Sequence, residues 1–158
     1  MLERVLFVVT IAGGATLGVF WPLSKNATPG APSALEVTLD RSADKHFYAN
    51  ANVNGHDIRF LVDTGASETA LTEEDARKVG IAIDPQQYEL LGQGASGIVR
   101  GQYVELKTIE LGGIHERNAK AVVVQGATVS LLGQPFLEGI DEIVIRKGEM
   151  VLRDKKDS

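Results

Sequence analysis

Apolar residues recur at every second position over several short stretches of this 158-residue chain, and this period predicts β-strands. The first stretches are residues 35–39, 47–53 and 57–62. Asn54 and Gly55 separate the last two, and both residue types tolerate the positive φ angles of a type I′ turn. The pattern therefore predicts a β-hairpin whose second strand ends at residue 62.

The second half of the chain continues the same pattern. Further strands are predicted at residues 108–111, 121–124, 129–132, 143–145 and 150–152. Between the first two of these strands, two glycines and a polar segment from His115 to Asn118 predict a bend. A turn at Lys147-Gly148 separates the last two.

One short helix is predicted among the strands. Thr72 can act as its N-cap, and Gly80 marks its end after about two turns. The acidic residues at positions 73–75 fall in its first turn, where the helix dipole explains them better than a metal ion does. Long helical patterns are missing from the domain, so the chain is predicted to be an all-β protein with one or two short helices.

The N-terminal segment has a different composition. Residues 5–24 carry no charge, and at 1.5 Å per residue a helix of this length spans a hydrocarbon core of about 30 Å. We expect residues 1–25 to form a single uncleaved transmembrane anchor; a cleaved secretory signal is the alternative. The terminal amine and Arg4 are opposed by Lys25 alone, which favours a cytoplasmic N-terminus and a domain on the far side.

The remainder divides into a linker at residues 26–34, one globular domain at 35–153 and a polar tail at 154–158. A net charge of -5 argues against a nucleic-acid partner, because no basic stripe is present to balance phosphate charge. The chain has no cysteine, and its three histidines, His46, His56 and His115, are widely spaced. We therefore expect neither a metal site nor a cofactor.

Candidate chemistry lies at the end of the predicted hairpin. The apolar run Phe60-Leu61-Val62 leads directly into Asp63, and Thr64-Gly65 then turns the backbone away. This order places a carboxylate at the rim of the core, where it needs hydrogen-bond donors or takes part in acid–base chemistry. An ordinary Asp-Thr-Gly turn is the structural alternative for the tripeptide alone.

A second glycine-rich segment follows. Three glycines lie within residues 92–97, between two strand-like arms, which predicts a hairpin with a mobile tip. A phosphate-binding loop is the other interpretation, but no Lys-Ser/Thr pair follows and no helix opens there.

At Leu61-Val62-Asp63-Thr64-Gly65-Ala66 the chain resembles the retropepsin-like aspartic proteases, in particular small bacterial membrane-anchored members. The resemblance covers about residues 45–153, the size of one protomer. It implies a closed barrel of the acid-protease type, and for this chain a location in the bacterial inner membrane with a periplasmic domain. Leu131-Leu132-Gly133, followed by Phe136-Leu137, looks like the second apolar strand that passes beside the catalytic loop in that family.

The resemblance also assigns roles to individual residues. Asp63 would be catalytic, Thr64 would hydrogen-bond across the two-fold axis, and Gly65 would donate to the carboxylate. Ala66 or Ser67 would line the pocket, and Leu131, Leu132 and Gly133 would support the loop from behind. By position, the glycine-rich hairpin corresponds to the flap, with its tip at Gln93, Gly94, Ala95, Ser96 and Gly97. The tip lacks the Thr-Ala-Asn-Gly associated with the family, so individual flap contacts are not carried over.

Amide hydrolysis needs a base for the attacking water and an acid for the departing group. Two carboxylates about 3 Å apart can supply both, because they share one proton instead of both ionising. The chain has one Asp-Thr-Gly, so the mechanism requires a symmetric homodimer acting on a peptide or protein, for which a membrane or periplasmic protein is one hypothesis.

Two other functions compete with this interpretation. An aspartyl-phosphate enzyme also places Asp after an apolar strand, but it needs an acidic residue where this chain has Gly65, and it needs long helices. A membrane-tethered, non-enzymatic module of the same fold, which binds a peptide or dimerises, is the more serious alternative.

Overall fold

A computed structural model describes residues 34–94 and 97–155. Within these residues the chain forms ten β-strands, two short α-helices and one turn of 3-10 helix. The strands are β1 (Leu35–Asp40), β2 (Tyr48–Val53), β3 (His56–Val62), β4 (Thr69–Leu71), β5 (Glu89–Gly94), β6 (Gly97–Leu111), β7 (Ile114–Val124), β8 (Ser130–Leu132), β9 (Glu142–Ile145) and β10 (Glu149–Asp154). The helices are α1 (Glu73–Lys78) and α2 (Gln134–Leu137), and the 3-10 turn is Pro85–Gln87.

Six strands close into a barrel in the order β2-β3-β8-β4-β7-β6, and β6 pairs back onto β2. The strands β3 and β8 run parallel, as do β4 and β7, whereas the hairpins β2–β3 and β6–β7 are antiparallel. A closed ring leaves no open edge among these six strands. The all-β architecture with few helices is therefore confirmed.

The hairpin partner β5 extends outward from β6 and does not join the ring. A separate three-stranded antiparallel sheet has the order β1-β10-β9. Strand β10 continues to Asp154, which is one residue into the predicted polar tail.

Alternation along the strands fills the barrel. On β3, Ile58 and Phe60 are almost completely buried, while Asp57 and Arg59 face solvent. Alternation also buries one face of β2 and β8, whereas all three residues of β4 are buried. The largest fully buried apolar side chains of the described residues, Leu152 of β10 among them, are Phe60, Ile58, Leu71, Leu106, Ile109, Leu132, Leu152, Val53 and Val123. This core ends at Val62, so Asp63 emerges at its rim.

The predicted turn and helix are both present. Asn54 and Gly55 have φ angles of 51° and 90°, as a type I′ turn requires. The Thr72 hydroxyl accepts a hydrogen bond from the Asp75 backbone N–H at 3.0 Å, which caps α1. Gly80 follows the helix with a φ of 80°.

The predicted bend from His115 to Asn118 is wrong, because β7 runs through these residues without interruption. Its inward side chains are Ile114 and then, after a shift by one residue, Ala119, Ala121 and Val123. Asn118 lies at this shift with a φ of 53°, in the left-handed region. The polar segment therefore marks a change of face within a long strand.

The short strand β4 was not predicted. Its residues Thr69, Ala70 and Leu71 are all buried, so they show no alternation. The predicted anchor at residues 1–25 lies outside the described residues. Among the described helices, none is long and apolar enough to cross a membrane.

Candidate active site

The loop that carries Asp63 is fixed to the neighbouring strand by backbone hydrogen bonds. β3 pairs with β8 up to Val62 and Leu132, and the Asp63 N–H then donates to the Leu132 carbonyl at 3.1 Å. The Ala66 N–H donates back to the Asp63 carbonyl at 3.2 Å, which closes a tight turn. The parallel pairing of two distant strands thus holds the start of the loop.

Asp63 is a half-buried residue, and its carboxylate is held by its own loop. Its Oδ1 accepts a hydrogen bond from the Gly65 N–H at 2.9 Å. A Cβ at position 65 would lie 3.3 Å from the same oxygen, which is a tight contact, so glycine suits this position. The predicted donation from Gly65 to the carboxylate is present, while Thr64 is exposed beside it.

Gly133 allows the second strand to reach the loop from behind. A Cβ there would lie 2.2 Å from the Glu68 carbonyl oxygen and 3.0 Å from that of Ala66. Leu132 is fully buried, and Leu131 is half-buried on the other side of β8. The structure therefore places Leu131, Leu132 and Gly133 directly against the Asp63 loop.

Gln134, which the sequence analysis did not single out, makes two further bonds to this loop. Its backbone N–H donates to the Ala66 carbonyl at 2.9 Å, and its side-chain Nε2 donates to the Thr64 carbonyl at 2.6 Å. The only sequence signal was its position directly after Gly133. Its partners lie about seventy residues earlier, a distance over which local patterns say nothing.

A groove with a volume of about 370 Å³ lies between the loop and the glycine-rich hairpin. Some of its lining residues, from the loop, the hairpin and β8, were predicted as site residues, and others were not. The lining residues are Gly65, Ala66, Ser67, Glu68, Ala70, Leu91, Gly92, Gln93, Val99, Tyr103, Val122, Val124 and Leu131.

The groove is mainly apolar, with one acidic residue. Among its described lining residues, Glu68 alone carries a charge, and it is half-buried. Such a groove can hold an apolar side chain and can attract a cationic group at one position.

The arms of the glycine-rich hairpin are β5 and the start of β6. Gln93 pairs with Ile98, and Gly94 pairs with Gly97, so the two strands stay paired up to the predicted tip of the hairpin. Gln93 lines the groove, whereas the predicted tip residues Ala95 and Ser96 lie outside the described residues. The roles assigned to all these side chains stay predictions.

The root of the hairpin is tied to α1. Tyr88, just before β5, has a buried ring, and its hydroxyl donates to Glu73 Oε1 at 2.5 Å. Burial, followed by this hydrogen bond to Glu73, raises the pKa of Tyr88 to about 12. The contact therefore anchors one end of the hairpin to the body of the domain.

The family follows from comparison with known proteins. A sequence model described as "gag-polyprotein putative aspartyl protease" matches residues 49–139, more than half of the chain. A crystal structure of a retropepsin-like aspartic protease from Rickettsia conorii matches with a TM-score of 0.63 and 34% identity, covering 77% of this chain and 90% of that one. The chain belongs to the retropepsin-like aspartic protease family.

A more distant structure supports the fold alone. The protease of EIAV in complex with the inhibitor HBY-793 matches with a TM-score of 0.50 and 21% identity, over 61% of this chain and 89% of that one.

Two curated relatives are uncharacterized proteins. One, from Sinorhizobium sp., is encoded in the region 5′ of cobV and is 39% identical over 121 residues, which is 75% of this chain and 52% of the relative. The other, from Rickettsia prowazekii, is 38% identical over 118 residues, 74% of this chain and 51% of the relative. The chain thus spans about half the length of these relatives.

Proposed function

We propose that the protein is an aspartic endopeptidase that acts as a homodimer and hydrolyses peptide bonds with a water molecule activated by two Asp63 carboxylates. The observation that carries this proposal is the Asp63 loop itself. Its Gly65 N–H holds the carboxylate of the half-buried Asp63, and its residues Gly65 to Glu68 form one wall of a groove of about 370 Å³. The hairpin β5–β6 forms the opposite wall.

In the proposed reaction, one Asp63 is ionised and the other is protonated. The ionised carboxylate takes a proton from water, and the oxygen attacks the peptide carbonyl carbon while the second carboxyl protonates the carbonyl oxygen. The first carboxyl, now protonated, gives its proton to the amide nitrogen as the C–N bond breaks, while a hydroxyl of the tetrahedral intermediate returns a proton to the second carboxylate and the carbonyl re-forms; an amine and a carboxylic acid are released. Both carboxyl groups return to the starting state of one shared proton.

The dimer follows from the number of carboxylates in each chain. One Asp-Thr-Gly supplies one Asp63, so the second must come from another copy across a two-fold axis. Retropepsin-like proteins typically function as dimers and bind peptides. The exposed position of Thr64 beside Asp63 is compatible with a contact to a partner loop.

The anchor and the location are part of the proposal and rest on the sequence. The uncharged segment at residues 5–24 would hold the protein in the bacterial inner membrane, and the charges around it favour a periplasmic domain. Membrane or periplasmic proteins are then the nearest substrates.

The direct test is cleavage of a peptide library by the full chain in mild detergent, compared with Asp63→Asn. This change keeps the shape of the side chain and should abolish cleavage while the circular dichroism spectrum is unchanged. Asp57→Asn is the matched control, because Asp57 lies exposed on β3, the strand that leads into Asp63. Cleavage that persists in pure Asp63→Asn protein would remove Asp63 from the mechanism.

The same library reports the preferred substrate. Because Glu68 is the one charged residue in the described groove lining, cleaved peptides should be enriched in lysine or arginine near an apolar residue. Glu68→Gln should remove this enrichment. Peptides that bind without being cut by the wild-type protein would instead support the non-enzymatic module.

A further inference from the structure

Gln134 touches the Asp63 loop on both sides of Gly65. Its backbone N–H bonds the Ala66 carbonyl, and its side-chain Nε2 bonds the Thr64 carbonyl at 2.6 Å. We propose that Gln134 is a positioning residue, which orients the donor for the Asp63 carboxylate through the Thr64–Gly65 peptide. This inference rests on the proposed function.

The connection runs through a single peptide unit. The Thr64 carbonyl and the Gly65 N–H belong to the same planar amide, and in a trans peptide they point in opposite directions. Gln134 Nε2 holds the carbonyl end, and the N–H end donates to Asp63 Oδ1 at 2.9 Å. Fixing the carbonyl therefore fixes the direction of the N–H that reaches the carboxylate.

The same arrangement also strengthens the bond to the carboxylate. When a peptide carbonyl accepts a hydrogen bond, the peptide group is polarised, and the N–H of the same peptide group becomes a better hydrogen-bond donor. The Gly65 N–H should then stabilise the ionised form of Asp63 more than it would without Gln134. Gln134 is thus linked to the reacting group without touching it.

The backbone around Gln134 is held in place by its neighbours. It begins α2, in which Phe136 and Leu137 are buried. Gly133 before it packs so closely against the Glu68 carbonyl that the chain has little freedom to move. The backbone that carries the Gln134 side chain is therefore held in place. In the described contacts, the side-chain amide forms one hydrogen bond, to the Thr64 carbonyl.

Removing the Nε2 donor should leave the fold and change the chemistry. Gln134→Met keeps the length of the side chain and the backbone N–H but loses the bond to Thr64. We expect kcat to fall by about ten- to a hundred-fold with little change in KM, because the reacting group is misplaced while the groove is intact. The acidic limb of the pH–rate profile should move to higher pH, since the ionised dyad loses stabilisation.

Two controls separate this role from a structural one. Gln134→Lys retains a donor and should recover most of the lost activity; because its positive charge also favours the ionised carboxylate, its acidic limb should lie at or below the wild-type pH instead of above it. Gln125→Met makes the same chemical change at an exposed glutamine and should have no effect. If Gln134→Met lowers only the melting temperature, and the pH profile of the folded enzyme is unchanged, Gln134 is merely structural and the inference is wrong.

Amide exchange gives a readout that does not depend on protease activity. In full-length protein in detergent, Gln134→Met should speed hydrogen exchange of the Gly65 N–H, and Gln125→Met should not. If the wild-type protein cleaves no library peptide, the proposed function fails, while faster exchange at Gly65 would still support the link through Thr64. Unchanged exchange would overturn that link whatever the activity.

Discussion

Gly133 shows how a single residue without a side chain determines the geometry of the candidate active site. The neighbouring carbonyl oxygens of Glu68 and Ala66 occupy the space that a Cβ would need. Only glycine lets β8 approach the Asp63 loop closely enough for Leu132 to accept the Asp63 N–H. The Leu-Leu-Gly pattern was visible in the sequence, whereas the steric reason for the glycine was not.

Gly133→Ala should therefore destabilise the protein by about 2 kcal/mol or more, because backbone atoms must move to admit the methyl group. Urea denaturation measures the change. Gly139→Ala is the matched control: its Cβ would meet only the Phe136 carbonyl, at 3.4 Å, and the effect should stay within about 0.5 kcal/mol. Equal stability of the two variants would show that the loop tolerates a wider separation than the structure indicates.

At the scale of elements, patterns that obey a regular period were predicted, and patterns that break it were not. The Asn54-Gly55 hairpin and the Thr72-capped helix follow local rules, so the sequence alone located them. The buried positions of the long strand β7 shift by one residue at Asn118, and the polar residues before this shift were wrongly predicted to form a bend. Strand β4 is buried on both faces, which removes the alternation by which a strand is recognised.

The contact between the root of the glycine-rich hairpin and α1 leads to a prediction about how stability depends on pH. Burial and the bond to Glu73 raise the pKa of Tyr88 to about 12, from 10.0 for a free tyrosine. The folded state therefore holds this proton more tightly than the unfolded chain does. The stability that Tyr88 contributes is fully present below pH 10, and it is lost as the pH rises towards 12.

Tyr88→Phe should flatten the fall in the free energy of unfolding over this alkaline range, measured by urea titration at a series of pH values. Tyr103→Phe removes an exposed hydroxyl and should keep the wild-type slope. An identical slope in Tyr88→Phe would contradict the raised pKa that burial and the contact with Glu73 give to Tyr88.

At the scale of the whole molecule, closure of the barrel brings together segments that are far apart in sequence. The loop after β3, the hairpin β5–β6 and the strand β8 all contribute to the groove. The sequence located Asp63, the glycine-rich hairpin and Leu131-Leu132-Gly133 separately. It could not identify Gln134, Leu91 or Tyr103, because their relation to Asp63 exists only after the barrel closes.

The central claim is that two copies of Asp63, one from each protomer, are needed for one reaction. Wild-type and Asp63→Asn chains can be mixed in equal amounts at constant total concentration and allowed to exchange subunits. If both carboxylates are required, only dimers of two wild-type chains are active, and the cleavage rate should fall to about one quarter of that of pure wild type. A rate of about one half would mean that each protomer acts with a single Asp63, and it would contradict the account.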